Sequence, residues 1–180
     1  MKQFKNYINE KLHVTSKSFY SCKPNTKDEL RKIIVQRIKD EGNDCDLNDI
    51  DVSEIEDMSY LFNAEEYKEF RHFNGDISLW NVSNVTNMLG MFNYCIEFNC
   101  DISEWDVSNV TNMKCMFYWC KNFNCDISGW DVSKVKDMYC MFWGCEKFNF
   151  DLSQWDVSKV KDMYHAFNRC PTKPKWYNDI

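Results

Sequence analysis

Apolar and polar positions along this chain follow two rhythms. In Phe98-Asn99-Cys100-Asp101-Ile102-Ser103 they alternate one by one, the pattern of a strand with one buried face. Phe98, Cys100 and Ile102 are expected inward, and Asn99, Asp101 and Ser103 outward. Trp105-Asp106-Val107-Ser108 then reads as a turn in which Asp and Ser side chains bond nearby backbone N–H groups. Val107 and Val110 suggest a second short extended stretch. After Asn112, a suitable N-cap, the residues Met113, Met116, Phe117 and Cys120 fall at i, i+3, i+4 and i+7, one face of a short helix. A helix of about two turns does not survive alone, so neighbours must hold it.

The same succession recurs with a 25-residue period in 73–97, 98–122, 123–147 and 148–172. A worn copy lies in 46–58, and its Met58 precedes Met88 by 30 residues, which leaves five extra residues in the segment 63–72. A fixed period of this size is the signature of a repeat stack in which each unit buries its apolar face against its neighbours. The columns are Phe73, Phe98, Phe123, Phe148; Trp80, Trp105, Trp130, Trp155; and Cys95, Cys120, Cys145, Cys170, with two valine columns between. Residues 25–42 read as a capping helix: Thr26 and Glu29 form a capping box, Leu30, Ile33, Ile34 and Ile38 an apolar stripe, and Gly42 the stop. The expected architecture is therefore an α/β repeat solenoid. It has about five coils of strand, turn and short helix. Its parts are a leader or amphipathic segment (1–24), the capping helix (25–42), the repeat body (43–172, beginning with the degenerate coil 43–72) and a C-terminal cap (173–180).

The unit F-N-x-D-I-S-x-W-D-V-S-N-V-T-N-M-x-x-M-F-x-x-C resembles the repeat of BspA-like leucine-rich repeat surface proteins, a type abundant in mycoplasmas and gut bacteria. The resemblance covers about Asn25 to Lys175, from the helix TKDELRKIIVQRIKDEG to the ending around Arg169-Cys170-Pro171 and Lys173-Pro174. It implies a leucine-rich-repeat-like solenoid with a parallel sheet of FNxDIS strands, and a binding or adhesion role at a cell surface. The first ten residues, ending Ile8-Asn9-Glu10, look like the capsid-targeting leader of internal proteins of T-even-like phages, cut after Glu10. The competing reading is an amphipathic N-terminal helix that packs Phe4, Tyr7, Ile8 and Leu12 on the repeats.

Composition narrows the classes. The 180 residues carry 22 Lys+Arg and 28 Asp+Glu, a net charge of −6. Residues 1–42 hold 10 basic and 5 acidic side chains, and the acidic excess lies in the rest. An acidic body disfavours nucleic acid, which needs clustered Lys and Arg. No run of 18 apolar residues occurs, so no membrane insertion is expected. The start lacks the apolar core of a signal peptide, which leaves a cytoplasmic or virion-associated location as the expectation.

No catalytic set, phosphate loop or zinc pattern emerges. The ten cysteines mostly fall in repeat columns, are spaced by x4 rather than x2, and read as buried thiols; neither a metal nor a cofactor is expected. One disulfide is plausible, Cys100 to Cys125, since adjacent strands lie within disulfide reach. The outward ladder Asn74, Asp76, Asn99, Asp101, Asn124, Asp126, Asn149 and Asp151 is read as local hydrogen bonding, with a calcium-stabilised surface adhesin as the other possibility. Function is sought where the repeat varies. Tyr94, Tyr118, Trp119, Tyr139, Trp143 and Tyr164 form a candidate protein-binding patch, with packing across coils as the alternative. The reading is a monomeric, non-catalytic module that binds an unknown protein partner. A phage internal or virion-associated protein cut after Glu10 is the first alternative.

Overall fold

The computed structural model describes residues 19–178, and among these α1, Lys27–Glu41, is the one α-helix. Thr26 caps it: its hydroxyl accepts from the Glu29 N–H at 3.2 Å, and the Glu29 carboxylate reaches back to the Asn25 N–H at 2.8 Å. Gly42, at φ 95°, ends it by donating to the Ile38 carbonyl. Leu30 and Ile34 are fully buried against the worn copy. Its polar edge holds that copy too, through Lys27 to Asp57 and Ser59, both at 2.7 Å, and Arg31 Nε to the Leu61 carbonyl at 3.3 Å.

Beyond α1 the expected α/β solenoid is not found. Apart from a 3-10 turn at Lys68–His72, the described residues form turns and isolated parallel bridges, with no sheet and no helix in any repeat. The expected strand and helix are both overturned, and for linked reasons. In the segment expected to be helical, a left-handed residue stands at every fourth position. These are Tyr60; then Gly90 and Tyr94, Cys115 and Trp119, Cys140 and Gly144, His165 and Arg169, all with φ between 54° and 80°. A right-handed helix cannot pass through such a residue. The chain instead runs through linked turns closed by i→i+3 bonds, as in Met116 N–H to Met113, Tyr118 N–H to Cys115 and Cys120 N–H to Phe117. The i, i+3, i+4, i+7 apolar set is still inward, because Met113, Met116, Phe117 and Cys120 are all fully buried. The pattern was right about burial and wrong about conformation.

The N–H groups that the turns leave over point at the next unit. Met88, Gly90, Phe92 and Tyr94 donate to the carbonyls of Asn112, Lys114, Met116 and Tyr118, at 2.8–2.9 Å. The same four-bond ladder joins the worn copy to the first repeat, the second to the third and the third to the fourth. Adjacent units also share the bridges Asn87↔Asn112, Asn112↔Asp137 and Asp137↔Asp162.

The FNxDIS segments, expected to form the sheet, are linked by side chains between the four full repeats. Asn74 Oδ1 accepts the Asn99 N–H, Asn99 that of Asn124, and Asn124 that of Asn149, at 2.7–3.2 Å. Carbonyls left open there are closed by indoles: Trp105, Trp130 and Trp155 donate Nε1–H to Ile77, Ile102 and Ile127, and Trp176 does the same to Leu152 from the C-terminal segment. Thiols close another set, with the buried Cys95, Cys120 and Cys145 and the half-buried Cys170 donating to Phe62, Phe92, Phe117 and Phe142 at 2.9–3.0 Å. Burial pushes the Cys95, Cys120 and Cys145 thiols well up, which keeps the donor proton in place. Two interleaved columns of stacked phenylalanines fill the centre, with Phe92 on Phe98 and Phe117 on Phe123 both at 4.0 Å. The five extra residues of the worn copy make the 3-10 turn, which buries Phe70 edge-on to Phe62.

Aspartates shape the outer corners. In Asp-x-Ser the carboxylate accepts the N–H two residues on, as at Asp101/Ser103, Asp106/Ser108 and Asp131/Ser133, at 3.0–3.1 Å. Bonds from the Ser hydroxyl and backbone N–H hold Asp101, Asp106, Asp131, Asp151 and Asp156 below the usual carboxylate range. A depressed folded pKa gives stability that is fully present above the unfolded value of about 3.9 and is lost as pH falls through the folded value. In the first repeat Asn81 replaces this aspartate and accepts from Ser83 all the same. The triple variant Asp106→Asn, Asp131→Asn, Asp156→Asn keeps the acceptor but not its charge, so its urea midpoint at neutral pH is expected to fall modestly. It should lose less stability than the parent as pH drops below about 4. A second expectation concerns the indole bond. Trp130→Phe strands the buried Ile102 carbonyl and should cost about 1–3 kcal/mol in chemical denaturation, whereas exposed Leu79→Ala should cost far less.

Candidate recognition face

The linked turns carry four columns along one side of the stack: Leu89, Lys114, Tyr139, Tyr164; Gly90, Cys115, Cys140, His165; Asn93, Tyr118, Trp143, Asn168; and Tyr94, Trp119, Gly144, Arg169. Five of the six expected binding aromatics, Tyr94, Tyr118, Trp119, Tyr139 and Trp143, are half-buried, and Tyr164 is exposed at 47%. They are one continuous surface. The Tyr94 ring lies edge-on to Tyr118 at 5.5 Å and parallel to Trp119 at 6.4 Å. Tyr118 meets Trp143 at 6.0 Å, Trp143 meets His165 at 4.8 Å, and Tyr139 stacks with Tyr164 at 6.2 Å. Packing across units and partial exposure hold together here, so the two readings of these residues do not exclude each other.

Cations lie on this surface. Lys121 and Arg169 both sit 5.1 Å from the Trp119 ring, and Lys114 sits 4.7 Å from Tyr139. Arg169 reaches Trp119 from two units away because Gly144 stands between them. A Cβ at Gly144 would come within 3.0 Å of the indole. Gly90 plays the same part under Tyr60, whose ring would meet a Cβ there at 2.5 Å. Sequence reasoning named the aromatics but missed Tyr60, Lys121 and the cation–ring contacts. The available signal was a glycine in the same column as a Trp, which marks where a ring lies flat on bare backbone.

The outward Asn and Asp ladder serves the scaffold. Asn74, Asn99 and Asn124 accept backbone N–H groups of the following unit. Asp76, Asp101, Asp126 and Asp151 accept those of Ser78, Ser103, Ser128 and Ser153. Asn149, on the last unit, donates its N–H to Asn124. Among the described residues no group of three or more His, Cys, Asp or Glu side chains is placed to hold a metal ion. The structure does not join Cys100 to Cys125: both are free thiols. The Cys100 sulfur accepts the Ile77 N–H at 3.5 Å and that of Cys125 the Ile102 N–H at 3.4 Å, so each closes a backbone bond that the missing strand pairing leaves open. Burial pushes them up to about 12 and about 11. Glu10, the expected cleavage point, lies outside the described residues. No helix among the described residues is long and apolar enough to cross a membrane.

No curated protein and no solved structure matches this chain. One family model matches it twice, over residues 29–124 and 56–178, and its description reads "Mycoplasma protein of unknown function, DUF285". The matched stretches take in α1 from Glu29 and every repeat, and on that ground the chain belongs to this mycoplasma-type repeat family, DUF285.

Proposed function

We propose that this chain is a non-catalytic recognition protein that binds a protein partner through the aromatic face of its repeats. One observation carries the reading. The fold does not require aromatic residues in these columns, since Asn93, Asn168, Gly144, Leu89 and Lys114 stand in the same places in other units. Yet Tyr94, Tyr118, Trp119, Tyr139, Trp143 and Tyr164 gather there as one half-exposed surface. Aromatic side chains of this kind, already held by neighbours, lose little entropy on binding and are common interface anchors. The finer kinship with BspA-like surface proteins is part of this proposal and rests on the FNxDISxWDVS unit, without the strand-and-helix fold that the likeness implied.

The columns supply their own control substitutions. A variant with Tyr118→Asn, Trp143→Asn, Tyr139→Lys and Tyr164→Lys installs residues that the same columns already hold elsewhere. It is expected to melt close to the parent. Proteins captured by the parent in quantitative affinity mass spectrometry should bind it roughly 30-fold or more weakly, the loss typical of removing a hot spot. Recovery of the same proteins at the same strength by a folded variant would overturn the reading.

A further inference from the structure

Among the cysteines of the repeats, Cys95, Cys120, Cys145 and Cys170 donate to carbonyls, and Cys100 and Cys125 accept N–H groups. Cys115 and Cys140 bond no backbone group among the described residues. They bond each other. The Cys115 thiol donates to the Cys140 sulfur, and the Tyr139 hydroxyl donates to the same sulfur. Nor is a thiol what the backbone asks for here. Tyr60, Gly90, Cys115, Cys140 and His165 form one column, left-handed in every unit with φ between 54° and 58°. Glycine takes that conformation without penalty, as Gly90 does, and a side chain there is strained. The second and third repeats carry a thiol at this position all the same. Cys115 is half-buried and Cys140 is buried, both within the columns of the aromatic face.

We propose that Cys115 and Cys140 form a two-coordinate site for a soft univalent metal ion of the copper(I) class. Soft ions select thiolates, and copper(I) is satisfied by two of them in a line. The spacing agrees. The Cys115 N–H bonds the Tyr139 carbonyl at 2.9 Å, and chains bonded side by side in this way run about 4.8 Å apart. Two metal–sulfur bonds end to end span about 4.6 Å, taking the length of about 2.3 Å found for zinc thiolates. A third ligand is not at hand. His165 follows in the column, but its ring is held by Asn168 at 2.8 Å and packs edge-on to Trp143. Among the described residues no three metal-binding side chains converge, which disfavours zinc, whose structural sites use four ligands. Protons and charge balance. Burial pushes the Cys115 thiol up to about 12 and raises that of Cys140, so both are protonated in the free protein. One copper(I) ion and two thiols then give a bis-thiolate of single negative charge and two released protons, with no change of oxidation state. Lys114 places its charge near both sulfurs and favours that anion, while Asp137 and Asp162 oppose it. Protonated thiols attack disulfides and peroxides slowly, whereas a soft ion displaces the proton directly. This inference does not rest on partner binding by the aromatic face.

The test uses the full chain, reduced and free of oxygen, titrated with copper(I) as its acetonitrile complex, with silver(I) and zinc(II) as separate probes. The first equivalent of copper(I) should release about two protons. By peptide mass spectrometry it should block iodoacetamide at Cys115, while the likewise half-buried Cys22, Cys100 and Cys170 stay reactive. Silver(I) should protect the same residue, and zinc(II) should not. The variant Cys115→Gly, Cys140→Gly installs the residue that the column already holds at Gly90. It should melt near the parent and lose the first equivalent. Protection that arises first at Cys22, Cys100 or Cys170 would overturn the proposal. So would zinc(II) uptake of equal strength, retention of the first equivalent by the glycine variant, or a Cys115–Cys140 disulfide in protein purified without reductant.

Discussion

The structure depends on one arrangement: alternate N–H groups of each unit bonding to carbonyls of the next. That arrangement requires a left-handed residue twice per full repeat. Seven of these residues in the described chain are not glycine, and each costs roughly 1–2 kcal/mol against a right-handed conformation. The cost is tolerated because the conformation is over-determined. A left-handed residue closes one turn and lets the N–H groups on both sides of it reach the next unit. Moving it would break a turn bond and a ladder bond together. The ladder gives the repeat its fixed period, since one inserted residue would put every later N–H out of register with its acceptor. The five extra residues are accordingly confined to the 3-10 turn at Lys68–His72, between ladder segments and outside them.

Once the ladder is fixed, the remaining buried carbonyls need donors, and the repeat letters follow from that need. Tryptophan supplies an indole N–H to the Ile column and cysteine an S–H to the Phe column. Both residues are also large or apolar enough to fill the core, so one side chain satisfies a polar group and a volume at once. This accounts for four of the ten cysteines, Cys95, Cys120, Cys145 and Cys170, better than hydrophobicity alone does. Alanine would pack at Cys120 but leave the Phe92 carbonyl unpaired.

Burial was legible in the sequence and backbone conformation was not. The 25-residue period, the inward columns, the α1 capping box and the Asp-x-Ser turns could all be read from spacing, because each depends on local residue order. The helix and strand assignments failed for a physical reason. A run of linked turns with a left-handed residue at every fourth position places i, i+3, i+4 and i+7 on one side, as a helix does. The FNxDIS segment alternates as a strand does, but asparagine side chains stand where strand carbonyls would. The disulfide idea fell with the strands, since the Cys100 and Cys125 sulfurs are engaged by backbone N–H groups that a sheet would have paired. The aromatic face was legible as a list of residues. Two of its cation contacts were not, because Lys114–Tyr139 and Arg169–Trp119 join positions 25 and 50 residues apart, and the second depends on Gly144.

A stack built from directed bonds has unequal ends, and the sequence treats them differently. The carbonyl end meets α1, whose Lys27 and Arg31 bring positive charge to the acceptor side of the ladder. This places the Lys27 and Arg31 charges, set against an otherwise acidic body, where the field of the aligned bonds favours them. At the other end Trp176 and Tyr177 cover the Phe167 ring, and Trp176 gives its indole N–H to the Leu152 carbonyl. That is the bond by which Trp155 closes the Ile127 carbonyl one unit earlier. The C-terminal segment therefore stands in for a further unit at the core of the last repeat, as α1 stands in for a preceding one at the worn copy, and each does so with the donors that the carbonyls in front of it require.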